Sequence, residues 1–137
     1  MNFDYLQSFS DLKKLHEYCA EAEEFAQSKP SISAAAARKA IEYIVKMIYA
    51  SLVGEGEPSR TVFEMATDVR FTNYLNDPML LNTIHYIRKM GNVAVHDGAL
   101  TQEESCKVLE ELHFLTGEFC ILLGLIEDYP AFAQPQA

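Results

Sequence analysis

Apolar residues recur at three- and four-residue intervals along most of this chain, while the strict alternation of a half-buried strand is scarce. That periodicity constrains the fold more than any other feature and predicts an all-α protein. Phe3, Leu6, Leu12, Leu15, Cys19, Ala22 and Phe25 or Ala26 mark a first helix over residues 3–28, with Ser10 as an N-cap inside it and Lys29-Pro30 as its stop. A second helix starts near Ser31 or Ser33, buries Ala37, Ile41, Ile44, Ile48 and Leu52, and ends at Gly54. Its Ala34-Ala35-Ala36-Ala37 start lets a neighbour approach closely. Gly54-Glu55-Gly56-Glu57-Pro58-Ser59 reads as a mobile connector. Thr61–Val69 follows as a short helix with Val62, Phe63, Ala66 and Val69 inward, then an irregular stretch from Arg70 to Leu75.

Asp77-Pro78 places a capping carboxylate before a proline, which starts a fourth helix running to Met90 with Leu80, Ile84 and Ile87 in the core. Gly91 is expected as its left-handed C′ residue. Thr101-Gln102-Glu103-Glu104 is a capping box opening a last long helix, which buries Leu109, Leu112, Leu115, Phe119, Leu122 and Ile126. The expectation is a helical bundle of four to five helices forming one domain over residues 1–128. Residues 129–137, Tyr-Pro-Ala-Phe-Ala-Gln-Pro-Gln-Ala, bury little by composition and read as a linker-like tail leading to further domains of a longer protein.

The 137 residues are enough to bury a core without disulfides or metals. No apolar run reaches the roughly 18 residues that span a bilayer, the longest candidate being residues 119–126. The N-terminus lacks a basic and apolar leader, so a cytosolic location is expected and no membrane partner. Cys19, Cys106 and Cys120 lie far apart among apolar neighbours and read as buried reduced thiols. With no C-x-x-C spacing, neither a metal nor a cofactor is expected. The net charge of −9 argues against a protein that coats nucleic acid and leaves room only for a small, locally basic phosphate site.

Ile87–Gly98 supplies the groups for such a site, placing Arg88, Asn92, His96 and Asp97 around one glycine. His85 and Arg88, three apart, share a helix face, and Arg88 and Lys89 suit the negative end of the helix dipole. With the chain reversing at Gly91-Asn92, Val93 and Val95 anchor His96 near Arg88. If the two converge, Arg88 clamps a phosphate and His96 exchanges a proton, the minimum for metal-free RNA cleavage through a 2′-hydroxyl. The bland alternative has His96 and Asn92 bonding turn backbone while Arg88 pairs with Glu42. Arg38 and Glu42, four apart on the second helix, form either a simple ion pair or part of a cluster with Arg88 and His96. The candidate binding set is Arg38, Glu42, His85, Arg88, Lys89, Asn92 and His96, with Arg88 and His96 catalytic only under the cleavage reading. His16 and His113 read as surface or half-buried residues, and Tyr43, Tyr49, Tyr74 and Tyr86 as core edges. No nucleophile elbow, glycine-rich phosphate loop or H-E-x-x-H motif occurs.

Three segments together carry a resemblance: Asn2-Phe3-Asp4-Tyr5-Leu6 with Ala20-Glu21-Ala22-Glu23, then Ala37-Arg38-Lys39-Ala40-Ile41-Glu42, then Ile84 to His96. Over roughly residues 1–128 the chain resembles the uncharacterised helical domain at the N-terminus of some type I restriction enzyme R subunits, which is in turn similar to the HEPN superfamily. HEPN ribonucleases carry an Arg, usually followed by a polar residue, with four to six residues between that Arg and a His. Asn92 and His96 match the polar residue and the His, whereas Gly91 stands at the arginine position and Arg88 is separated from His96 by seven residues. The resemblance implies an HEPN-like bundle acting as a noncatalytic accessory module of a restriction or defence protein. It would self-associate as a homodimer or bind other subunits, in association with nucleic acid; the alternative is a divergent metal-independent ribonuclease using His96 and Arg88.

Overall fold

Every regular element among the described residues, 1–54, 56–96 and 98–135 of a computed structural model, is helical. Two 3₁₀ turns, Asp4–Ser8 and Ser10–Leu12, lead into α1 (Lys13–Phe25), α2 (Pro30–Val53), α3 (Val62–Thr67), α4 (Val69–Leu75), α5 (Pro78–His96) and α6 (Gln102–Leu122). Helix α2 is the axis, touching each of the other five. Its burial explains this, since Ala34, Ala37, Ile41, Ile44, Val45, Ile48 and Tyr49 spread inward contact over more than one stripe of the helix. Around it Phe3, Leu6, Leu12, Leu15, Phe71, Ile84, Ile87, Leu109 and Leu112 fill the core. The small residues at the start of α2 admit α1 closely, and Ser33 donates its hydroxyl to the Ala22 carbonyl at 2.6 Å.

Several boundaries follow the sequence reading. Gly54 ends α2 at φ 74°. Asp77 caps α5, its Oδ1 accepting from the backbone N–H of Met79 and Leu80 at 3.0 and 3.2 Å. Both arms of the Thr101–Glu104 capping box are made.

Others differ, each for a local reason. Six α-helices stand among the described residues where four to five were expected. The first segment is broken because Phe9 is extended, at φ −118° and ψ 104°, which re-aims the chain so that both Leu6 and Leu12 reach the core. The stretch expected to be irregular is α4. Asp68 caps it by accepting from Arg70 N–H at 2.8 Å, and Asn76 ends it in the left-handed region at φ 45°. Only Phe71 is buried in α4, so no apolar stripe announced it. Helix α6 stops at Leu122, with Gly124 at φ 74° beyond it.

Most consequential for the site, α5 does not end at Met90. Gly91 is buried and helical, and the helix continues through Asn92 to His96. A Cβ at Gly91 would lie 2.5 Å from Cβ of Arg38, so this glycine permits helix contact and caps nothing. The left-handed glycine after α5 is Gly98, at φ 66°, whose N–H bonds the Val93 carbonyl at 3.2 Å.

Residues 129–135 pack on the bundle, although their composition reads as a linker. Asn2 grips Ala133 at both backbone groups, donating to its carbonyl at 2.8 Å and accepting from its N–H at 2.9 Å. Gln27 bonds the Pro135 carbonyl. The Tyr129 ring lies on Gly117, where no Cβ would fit. His113, read as a surface or half-buried residue, is 3% exposed beneath Phe3, Tyr129 and Phe132.

Candidate anion-binding cleft

Because α5 stays helical through Gly91, Arg88 and Asn92 stand one turn apart on a single face. Arg38 and Glu42 are spaced the same way on α2, and the glycine brings the two faces together. The segment Arg60-Thr61-Val62-Phe63, entering α3, closes the third side. Reciprocal hydrogen bonds fix this entry, Thr61 N–H to Glu64 Oε1 at 2.9 Å and Glu64 N–H to Thr61 Oγ1 at 3.1 Å. The result is a cleft of about 450 Å³ lined by Arg38, Glu42, Arg60, Thr61, Val62, Phe63, Arg88 and Asn92.

Its charge is unbalanced. Glu42 is taken by Lys46 at 2.8 Å, so neither the Arg38–Glu42 nor the Arg88–Glu42 pair forms. No carboxylate among the described residues pairs with Arg38 or Arg88, and Arg60 reaches only Glu57, at 3.9 Å. The Nε atoms of Arg60 and Arg88 are buried without an acceptor among the described residues. A buried donor left unpaired costs about 1–3 kcal/mol, so these groups are poised to gain from an incoming acceptor. The Arg88 guanidinium lies 5.0 Å from the centroid of the Phe63 ring, and Phe63 remains 52% exposed.

Of the seven binding residues read from sequence, Arg38, Glu42, Arg88 and Asn92 line the cleft. His85 packs beside it, its ring 6.0 Å from that of Phe63, with Nδ1 buried and unpaired among the described residues. Burial, reinforced by Arg88 and Lys89, holds its imidazole below the ordinary histidine value. Lys89 and His96 are exposed and do not line the cleft. Eight residue steps along one helix place His96 about 12 Å from Arg88 along the axis, so the reversal expected to bring them together does not occur. Asp97, the carboxylate of that sequence cluster, lies outside the described residues.

As site residues the sequence reading missed Arg60, Thr61, Val62 and Phe63, the last two having been read as inward core residues, whereas Phe63 is 52% exposed. Their only local signal was a cation and an aromatic residue flanking a capping box.

Guanidinium groups stay protonated at all physiological pH values, and no imidazole or thiol lines the cleft. The arrangement suits holding an anion, with Glu42 the one carboxylate among the lining residues. The three thiols are remote from it. Burial raises each of them, Cys120 to about 11, which disfavours the thiolate form. Among the described residues, no group of three His, Cys, Asp or Glu side chains could hold a metal, and no helix is long and apolar enough to cross a membrane.

The chain matches no protein-family model, curated protein or solved structure. The cleft is thus the feature on which a functional reading stands.

Proposed function

We propose that this chain is a noncatalytic recognition domain whose ligand site is the cleft between α2, α3 and α5. The observation that carries the reading is that Arg38, Arg60 and Arg88 line one half-enclosed space, where the described residues give Arg38 and Arg88 no carboxylate partner and leave the buried Nε groups of Arg60 and Arg88 without an acceptor. In a chain of net charge −9, three arginines and a single carboxylate, Glu42, on one cleft make a local excess of positive charge that an incoming anion offsets.

The resemblance in Ala37–Glu42 and Ile84–His96 supplies the setting. The domain acts as an HEPN-like accessory module of a restriction or defence protein in the cytoplasm, as a homodimer or against another subunit, while catalysis belongs elsewhere. Two residues of the second resemblance segment, Arg88 and Asn92, line the cleft, as do Arg38 and Glu42 of the first.

The test pairs binding with turnover. Wild-type protein, Arg38→Gln and His96→Ala are incubated without metal with labelled single-stranded RNA, and the thermal midpoint of each is followed against inorganic phosphate. The expected result is intact RNA throughout, with a midpoint raised by phosphate in wild type and His96→Ala but not in Arg38→Gln. RNA cleavage that disappears in His96→Ala would overturn the reading in favour of a divergent ribonuclease.

A further inference from the structure

We propose that the groove between α5 and α6, on the face of α5 opposite the arginine cleft, docks a basic amphipathic helix of a partner protein. Position on α5 separates the two sites. Tyr86 and Arg88 are two residues apart and so point about 200° from each other around the helix axis. Tyr86 lines the groove and Arg88 the cleft.

Periodicity builds the groove. Met79, Thr83 and Tyr86 recur at helical spacing on α5, as do Glu103, Lys107, Glu110 and Phe114 on α6. The two helices run antiparallel here: Thr83 donates its hydroxyl to Glu111 Oε2 at 3.0 Å, while Tyr86, later on α5, shares a hollow with Lys107, earlier on α6. Between the stripes lie two adjoining hollows of about 650 and 640 Å³ that have Tyr86 and Glu110 in common. Such a space exceeds what a lone ammonium group or metal ion fills. The α6 stripe from Glu103 to Phe114 covers about 16 Å of axis, or roughly three turns, which is the reach of a short docked helix.

The floor of the groove is apolar and open. Met79 is 64% exposed, and Tyr86 and Phe114 are only partly buried where they pack against the core. Methionine and aromatic side chains are the adaptable anchors with which grooves take the apolar face of a helix. Gln134, from the segment packed on the bundle, walls one end.

Charge decides the occupant. Glu103, Glu104, Glu110 and Glu111 line the groove with a single cation, Lys107. Lys107 is spent on Glu111 at 3.3 Å, and Glu104 Oε1 is held by the Thr101 N–H at 3.0 Å. Glu103 and Glu110 have no cationic partner among the described residues. An anionic rim around an apolar floor complements a helix whose apolar stripe is flanked by lysines or arginines. The same rim repels lipid and nucleic-acid phosphates, and the net charge of −9 adds to that repulsion while drawing in a basic segment. A second copy of this chain carries the same −9 and fits the rim worse than a basic partner does.

The experiment is fluorescence anisotropy of the whole chain with labelled synthetic peptides of about 14 residues, long enough for the three turns of the groove. One peptide has leucines at every third and fourth position with lysines between them. A second replaces the lysines by glutamates, and a third scrambles the first so that no stripe remains. The variants are Met79→Ala and the double substitution Glu103→Gln with Glu110→Gln, all at exposed positions, so that each leaves the core intact. The control is Glu17→Gln with Glu24→Gln, which removes the same charge from exposed positions of α1, a helix that lends no residue to the groove. Circular dichroism checks each fold, and light scattering is recorded on the same samples.

The striped lysine peptide is expected to bind, and to bind less tightly as salt is raised. Its affinity should fall by about tenfold in the Glu103 and Glu110 double variant, by about threefold in Met79→Ala, and not at all in the α1 control. Equal binding of the glutamate peptide would overturn the charge assignment. Equal binding of the scrambled peptide, or an equal loss in the α1 control, would reduce the effect to general attraction by an acidic surface and overturn the groove. A dimer that Met79→Ala dissociates would assign the groove to a second copy instead, and no binding of the striped peptide would sink the proposal. None of these outcomes bears on the phosphate response of the arginine cleft.

Discussion

Gly91 illustrates how much one residue decides. The built Cβ would stand 2.5, 2.8 and 3.0 Å from Cβ, Cδ and Cγ of Arg38, and the nearest of these is the root of the side chain, which cannot swing aside. Gly91→Ala gains about 1 kcal/mol of helix propensity and loses about 1–3 kcal/mol to overpacking. A net loss of up to about 2 kcal/mol is expected in urea denaturation, with the phosphate-induced shift in thermal midpoint also reduced because α2 and α5 are pushed apart; a raised urea midpoint refutes the close contact. His113 makes a second case. Burial pushes its imidazole below the ordinary value, while Glu23 and a hydrogen bond to the Pro130 backbone pull the other way. The unfolded chain therefore takes up the proton first, near pH 6.5. The stability contributed by neutral His113 is complete above that pH and is lost as pH falls through the folded-state value. His85, lowered by burial and by Arg88 and Lys89, works in the same direction. Denaturation midpoints at pH 7.5 and 5.5 should fall with pH, and His113→Phe should flatten the dependence. At this scale the sequence was only half readable. It picked Arg38, Glu42, Arg88 and Asn92 from residue type, but a glycine before a polar residue looks the same whether it caps a helix or admits a neighbour. Only the position of Arg38 decides between the two.

The same ambiguity explains which elements were legible. Helices α2 and α6 announced themselves because a long apolar stripe and a local end signal agree in each. In α6 the Thr101 hydroxyl accepts from Glu104 N–H at 3.1 Å, and the Glu104 carboxylate accepts from Thr101 N–H at 3.0 Å. Both bonds are within four residues, so no tertiary knowledge is needed to foresee them. Thr101→Ala should cost about 1 kcal/mol of stability, read from the urea midpoint. A cost indistinguishable from zero would mean that water replaces the cap. Helix α4 was illegible for the opposite reason. Seven residues with one buried anchor, Phe71, cannot show a period, and its stability comes from its ends and from Arg70. That guanidinium bonds Asp68 at 2.8 and 3.0 Å, Glu57 at 3.3 Å and the Tyr49 hydroxyl at 3.3 Å, and it holds the Asp68 carboxyl down to about 2. Those partners tie Glu57, in the stretch expected to be mobile, to α4; Glu55 of that stretch lies outside the described residues. The third wall of the cleft is set by the same junction, and this is why Arg60 escaped a reading confined to periodic segments, and why Phe63, read as inward, stands 52% exposed at the cleft.

For the whole molecule, the two ends of the described chain meet, and the meeting is invisible to composition. A segment of Pro, Ala, Phe and Gln buries little by itself. Here its partners are already folded: Asn2 and Gln27 supply hydrogen bonds, Gly117 leaves room for Tyr129, and His113 lies under Phe132. Asn2 is the pivot. Its side chain donates to the buried Glu23 carboxylate at 2.6 Å, its backbone N–H bonds both Glu23 oxygens at 3.1 and 3.2 Å, and its amide brackets Ala133. Replacing Asn2 by Ala keeps the backbone donor but removes the side-chain donor to a buried carboxylate and both bonds to Ala133. The loss of one charge-assisted and two neutral hydrogen bonds should lower stability by about 2–4 kcal/mol. Because the cleft lies between α2, α3 and α5, away from this clasp, the phosphate response of the folded variant should be unchanged. Amide exchange separates the two consequences. In wild type the Ala133 N–H, bonded to Asn2, should be protected, and in Asn2→Ala it should exchange at the rate of an open chain while α2 and α5 stay protected. Fast exchange at Ala133 in the wild type would show that the segment does not dock, whereas loss of protection throughout α2 in the variant would make the clasp part of the cooperative core.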